Sequence, residues 1–137
     1  MKYLLDTDIC IYFLNGNASV VEKMASISDS ELAISLITLA ELQFGAYNSE
    51  RVQKNLERIS FLSSTITVLP LTTDITEVYA KCKATLRRAG NPVDDFDILI
   101  GSTAIVNGLV LVTNNKQHFS RIDSITLESW ESVTLAV

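Results

Sequence analysis

KYLLDTDICIYFL, residues 2–14, changes character once, at Asp6. Lys2 to Leu5 is a short apolar run of strand length, and Thr7 or Asp8 is the type of residue that caps a helix, here one running from Ile9 to about Leu14. A strand that feeds directly into a helix is the opening of a β–α unit, and the rest of the chain repeats it.

Asn15-Gly16-Asn17 stops the first helix, and Val20, Val21, Met24 and Ile27 recur at helical spacing before the break at Ser28-Asp29-Ser30. Leu32 to Leu36 is the second strand candidate, followed by a helix capped at Thr38 and carrying Leu39, Leu42 and Phe44. Val52, Leu56, Ile59 and Leu62 mark a further amphipathic helix before a third strand, Ile66 to Leu69. Thr73 or Asp74 opens the longest helix, which ends on Arg87-Arg88 and stops at Gly90. A helical period from Asp94 to Asn107 stops at Gly108, a fourth strand follows at Leu109 to Val112, and Ile125 to Leu127 is the fifth. This alternation predicts an α/β fold, a central mostly parallel sheet flanked by helices, because only a strand buried on both faces is apolar throughout.

The 137 residues, 47% hydrophobic, suit one domain over 1–137 with no linker or repeat dividing it. Eleven Lys plus Arg against sixteen Asp plus Glu leave a net charge of −5, which excludes a general cationic coat for nucleic acid but not a local patch. Cys10 and Cys82 lie in apolar stretches without metal-site spacing and read as buried thiols in a reducing compartment. Asp6 interrupts any signal-peptide core and no apolar run approaches a membrane span, so the expectation is a cytoplasmic protein with no membrane partner.

In open parallel sheets the functional crevice lies beyond the carboxyl ends of the strands. Asp6 ends the first strand, Glu41 falls just after the second within the apolar stretch TLAEL, and Asp97 stands between Phe96 and Ile98-Leu99-Ile100 near a helix start. Gly101 and Ala104 share a helix face with Asp97 and are expected to leave room for a ligand beside it. Carboxylates gathered in one cleft raise one another's pKa unless a cation sits among them, and hard oxygen donors suit Mg²⁺ or Mn²⁺. Such a site polarises a phosphoryl oxygen and activates water.

Each residue also has a plainer reading. Asp6 can be an N-cap, Glu41 a helix-surface residue and Asp97 a first-turn charge on the helix dipole, as Asp8, Asp94 and Asp95 can be. His118, the only histidine, reads as a loop or surface residue. Arg87 and Arg88 can be a solvated helix end or a phosphate grip.

Four segments in order, YLLDTDICIYFL, ISLITLAELQFGA, GNPVDDFDILIGSTAI and LVLVTNNKQHFSRI with the terminal LESW, resemble the PIN-domain ribonucleases and, within them, the VapC toxins of bacterial toxin–antitoxin pairs. The resemblance spans essentially the whole chain. It implies the PIN-domain fold and a Mg²⁺-dependent (or Mn²⁺-dependent) endoribonuclease that inhibits translation and growth, with Asp6, Glu41 and Asp97 as metal ligands. It places a fourth acidic residue shortly after the last long strand, where this chain has an Asn, assigned to Asn115. An amide oxygen binds a hard cation without contributing charge, so a second metal is expected to bind weakly.

On this reading a water attacks an RNA phosphodiester while Thr7, Thr113 or Asn115 positions the water or a ligand. The candidate substrate grip is Arg87, Arg88 and Lys116, with Lys83 and Arg121. The resemblance further implies a VapB-type antitoxin, an RNA substrate such as a tRNA, and a homodimer or toxin–antitoxin hetero-oligomer. Ile11, Tyr12, Phe13, Val20 and Met24 are candidates for the antitoxin groove or a dimer surface, or plain core.

Two competing functions use the same residues. Asp6-Thr7-Asp8 resembles the DxD opening of haloacid-dehalogenase-type phosphatases, which leaves Glu41 without a role. A receiver domain fails because its phosphorylatable Asp would end the third strand, which here runs into Pro70. A PIN-like binding scaffold without activity is the non-enzymatic alternative, motivated by the Asn at the fourth acidic position.

Overall fold

The computed structural model describes residues 1–130; residues 131–137, the end of the expected domain, lie outside the described residues. Strands β1 (Tyr3–Leu5), β2 (Leu32–Ser35), β3 (Thr67–Leu69), β4 (Val110–Val112) and β5 (Leu127–Glu128) form one sheet in the order β3-β2-β1-β4-β5. Every pairing is parallel. The helices are α1 (Thr7–Leu14), α2 (Ala18–Ala25), α3 (Leu36–Tyr47), α4 (Val52–Thr65), α5 (Thr73–Arg88), α6 (Asp95–Asn107) and α7 (Lys116–Phe119).

Neighbouring strand residues feed opposite faces of this sheet, as a period of two requires. Leu5, Ile34 and Val112 join the core packed under α1 to α4, whereas Leu4, Ala33 and Leu111 join the core that holds Ile98, Ile100 and Ala104 of α6 and Phe119 of α7. Leu4 and Leu5 are both fully buried, which explains why β1 lacks the polar alternation of a half-exposed strand. Val20 and Met24 belong to the core and are therefore not docking residues, while Ile11 is exposed and Tyr12 and Phe13 are half-buried. Cys10 is buried, and Cys82 is only half-buried; both are free thiols.

The helix starts differ from expectation in one systematic way. The caps are Asp6 for α1, Ser35 for α3 and Thr72 for α5, each earlier than the residue the sequence suggests. At β1–α1 and β2–α3 the chain passes from strand to helix with no intervening loop, so the cap falls at the strand's end. Thr38, expected as a cap, is buried one turn inside α3, and its N–H donates to Ser35 Oγ at 3.0 Å. Leu36 consequently belongs to α3 rather than β2. The fifth strand is Leu127–Glu128, shifted from Ile125 to Leu127, and α7 is too short to leave a periodic signal. Gly108 stops α6 at φ 64°, the left-handed conformation that glycine adopts without a Cβ clash. Among the described residues, no helix is long and apolar enough to cross a membrane.

Candidate active site

The direct strand-to-helix junctions bring two of the three expected carboxylates to the carboxyl edge of the sheet. Asp6 follows β1, and Glu41 lies in the second turn of α3, which leaves β2. Asp97 arrives from the other direction: α6 leads into the parallel strand β4, so its N-terminal turn, where Asp97 sits, lies at the same edge. Thr113 follows β4 and completes the rim.

Asp6 is 4% exposed, and both its oxygens are engaged. Oδ1 accepts from the Thr7 N–H at 2.7 Å and Oδ2 from the Thr113 hydroxyl at 2.8 Å. The cap reading and the site reading of Asp6 are thus one arrangement, because a single carboxylate starts α1 and faces β4's exit. Burial raises its pKa to about 7; the Thr113 and Thr7 hydrogen bonds oppose the rise, and the charges of Asp8 and Asp97 add to it. Thr113 is itself oriented by the Asn115 N–H, which donates to its Oγ1 at 2.9 Å.

Glu41 is half-buried, and its Oε1 accepts from the Thr7 hydroxyl at 2.6 Å. Its pKa is raised first by burial, against the Thr7 hydrogen bond, and then by Asp97, Asp94 and Asp8. Glu41 also lines a groove of about 240 Å³ shared by α1, α3 and α4, with Ile11, Leu14, Leu42 and Arg58 on its walls. Asp97 is raised by burial, held down by the His118 hydrogen bond and pushed up by Asp94. The contact is His118 Nδ1 to Asp97 Oδ2, 3.2 Å. His118 is therefore not the detached surface residue its sequence position suggests.

The ligand room expected beside Asp97 is absent. Gly101 and Ala104 are buried, and a Cβ on Gly101 would meet Ile122 Cδ1 at 3.0 Å and Ile125 Cδ1 at 3.2 Å. The missing side chain at Gly101 admits the segment after α7, which fills the face where ligand space is expected.

Among the described residues, no three His, Cys, Asp or Glu side chains stand together in ligating arrangement. The donor chemistry nonetheless fits a hard divalent cation. Asp6, Glu41 and Asp97 are all raised by burial, Asp97's charge raises both of the others, and among the described residues no Lys or Arg pairs with any of the three. Thr7 and Thr113 add hydroxyl oxygens, and His118 an imidazole.

The expected grip residues are dispersed. Lys83 pairs with Asp95 at 2.8 Å beside Tyr79, at the start of α6. Arg87 lines a separate groove with Pro92, Val93 and Ile98, Arg88 ends α5 in solvent, and Arg121 Nη1 donates to the Pro92 carbonyl at 3.4 Å. Lys116 is exposed at the start of α7, next to exposed Asn115. Sequence reading missed Arg58, on the groove wall, and the His118 contact. Neither carries a local signal, since α4 and α7 meet the site only through tertiary packing. Asp8, the second Asp of the phosphatase-like DxD, is exposed.

The PIN domain family matches residues 3–125. The tRNA(fMet)-specific endonuclease VapC of Shigella flexneri is 34% identical over 130 residues, covering 95% of this chain and 98% of that protein. Ribonuclease VapC2 of Rickettsia felis is 32% identical over 133 residues, 96% of this chain and 99% of that one. Among solved structures, DNA-bound VapBC from Salmonella typhimurium superposes with a TM-score of 0.90 at 35% identity, covering 95% of this chain and 98% of that chain.

Proposed function

This chain belongs to the PIN-domain family, in its VapC ribonuclease branch, and we propose that it is a divalent-metal-dependent endoribonuclease, the toxin of a toxin–antitoxin pair. The observation that carries the reading is that β1, α3 and α6 bring Asp6, Glu41 and Asp97 to one edge of the sheet, where the charge of Asp97 raises the pKa of the other two and, among the described residues, no Lys or Arg pairs with any of the three. A cation of the Mg²⁺ or Mn²⁺ type removes that repulsion and, when bound, polarises a phosphoryl oxygen and makes water a stronger nucleophile.

The chain's own residues do the positioning. The Thr7 N–H and Thr113 hydroxyl hold Asp6 in one orientation, and the Thr7 hydroxyl holds Glu41. Asn115 acts through its backbone on Thr113, and its exposed side chain is available to a water or to RNA. The candidates for substrate contact are Arg87, Arg88 and Lys116, with Lys83 and Arg121, because a chain of charge −5 attracts phosphate only locally. A tRNA is the substrate class we infer, supported by the similarity to the tRNA(fMet)-specific endonuclease VapC of Shigella flexneri.

A VapB-type antitoxin is the inferred partner, supported by the VapBC complex of Salmonella, and the groove under Glu41 has the apolar walls that a partner segment requires. A homodimer or toxin–antitoxin hetero-oligomer, cytoplasmic location and inhibition of translation and growth belong to the same proposal. The test is cleavage of total tRNA and a set of mRNAs by partner-free protein, with Mg²⁺ or Mn²⁺ and with EDTA, beside Asp6→Asn. Discrete metal-dependent cuts lost in the variant support it. Intact RNA in every reaction by folded, metal-binding protein favours the binding scaffold.

A further inference from the structure

One short segment ties two of the three carboxylates together. Asp6 accepts from Thr113, Thr113 Oγ1 accepts from the Asn115 N–H, and the Asn115 carbonyl accepts from the His118 N–H at 3.1 Å. His118 Nδ1 then lies 3.2 Å from Asp97 Oδ2. Three devices hold this segment in place. Phe119, the next residue, is fully buried in the core of α6. Gly101, one turn along α6 from Asp97, leaves the space that Phe119, Ile122 and Ile125 approach. Asn115 immediately precedes α7, and its N–H to Thr113 ties the start of the helix to the Asp6 side as well.

We propose that His118 is a positioning residue of this site: its Nδ1–H holds Oδ2 of Asp97, fixing the carboxylate's rotation and leaving Oδ1 for the cation. The inference rests on the metal-site reading above. An imidazole nitrogen this close to a carboxylate oxygen is attractive only with the proton on it, so the ring donates whether neutral or charged. A carboxylate with one oxygen so engaged loses less rotational freedom on binding a cation, and supporting hydrogen bonds of this kind are worth about 10–100-fold in metal affinity. His118 is the sole histidine of the chain and is 40% exposed at its side chain, so its replacement does not open the core.

The test is Mn²⁺ affinity of the purified, partner-free full chain, read from the electron paramagnetic resonance signal of free Mn²⁺. His118→Phe and His118→Ala remove the donor, His118→Asn keeps an N–H near the Nδ1 position, and Asp97→Asn removes the group being held. Urea unfolding without metal checks that each variant folds. We expect about tenfold weaker binding in His118→Phe and His118→Ala, by the magnitude typical of such supporting contacts, and recovery to within about threefold in His118→Asn. Wild-type affinity in the donor-less variants overturns the inference, as does an Asn variant as weak as Phe. Wild-type protein that binds no Mn²⁺, or binding indifferent to Asp97→Asn, overturns the metal-site reading itself and the inference with it.

Discussion

The hydroxyl of Thr113 donates to Asp6 Oδ2 at 2.8 Å across 107 residues of sequence, joining the exits of the neighbouring strands β1 and β4. Both residues are buried, so the bond is shielded from water and its loss is not repaired by solvent. Thr113→Val keeps the shape and removes the donor. We expect a loss of about 1–3 kcal/mol in urea unfolding and weaker Mn²⁺ binding at pH 7, because the Asp6 carboxyl is pushed further up.

Asp6 also sets a pH dependence. Its folded pKa, about 7, stands above the ordinary 3.8, so the folded state holds a proton that the unfolded chain has released. Stability of the metal-free protein is fully present below pH 4 as far as this group is concerned and declines as pH rises toward 7. Mn²⁺ requires the ionised carboxylate, so the rise in melting temperature on adding Mn²⁺ is expected to be larger at pH 8 than at pH 5.5. Equal shifts at both would show that Asp6 does not bind the metal.

Asp6→Asn separates catalysis from folding. The amide preserves the acceptor for the Thr7 N–H while removing the buried negative charge, so metal-free stability at pH 8 should equal or exceed that of the wild type. RNA cleavage with Mg²⁺ should fall at least about 100-fold, a loss on the scale of removing a principal transition-state stabiliser. A variant that cuts at more than a tenth of the wild-type rate would remove Asp6 from the catalytic set.

Gly101 tests how the site is framed. A Cβ there meets Ile122 Cδ1 at 3.0 Å, the movable end of a side chain, so Gly101→Ala should be close to neutral once its helix propensity is counted. Gly101→Val adds bulk that Ile122 and Ile125 cannot both evade, and should cost about 1–3 kcal/mol in chemical denaturation.

Ser35→Ala removes the cap of α3, the helix that carries Glu41. Its hydroxyl accepts from the Thr38 N–H at 3.0 Å and lies 3.3 Å from the Thr38 hydroxyl, both fully buried. The expected cost is about 1–2 kcal/mol in urea unfolding, at the upper end for a cap because no water replaces the bond.

The elements were legible in the sequence wherever a local signal existed. KYLLDTDICIYFL has an apolar run short enough to be a strand and a helical period after it, and Gly108 marks the end of α6 because only a glycine reverses φ there without strain. Asp6, Glu41 and Asp97 were visible for the same kind of reason, as charges in apolar surroundings at the carboxyl ends of strands or the amino end of a helix. The caps fall one to three residues before the positions that local pattern predicts, since residues such as Asp6 and Ser35 end a strand and begin a helix at once, and local pattern assigns them to only one.

What the sequence by itself determined is therefore the alternation of strands and helices, the two-faced burial of the sheet and the three acidic positions, because these follow from periodicity and from the cost of a charge among apolar neighbours. Only the tertiary structure decided that the Gly101 face beside Asp97 is filled, that Arg58 shares a groove with Glu41, and that His118 meets Asp97. The reason is physical: those contacts depend on how α6, α4 and α7 pack across distances that no local sequence rule spans, and on the absent side chain of Gly101, whose consequence appears only when another segment lies against it.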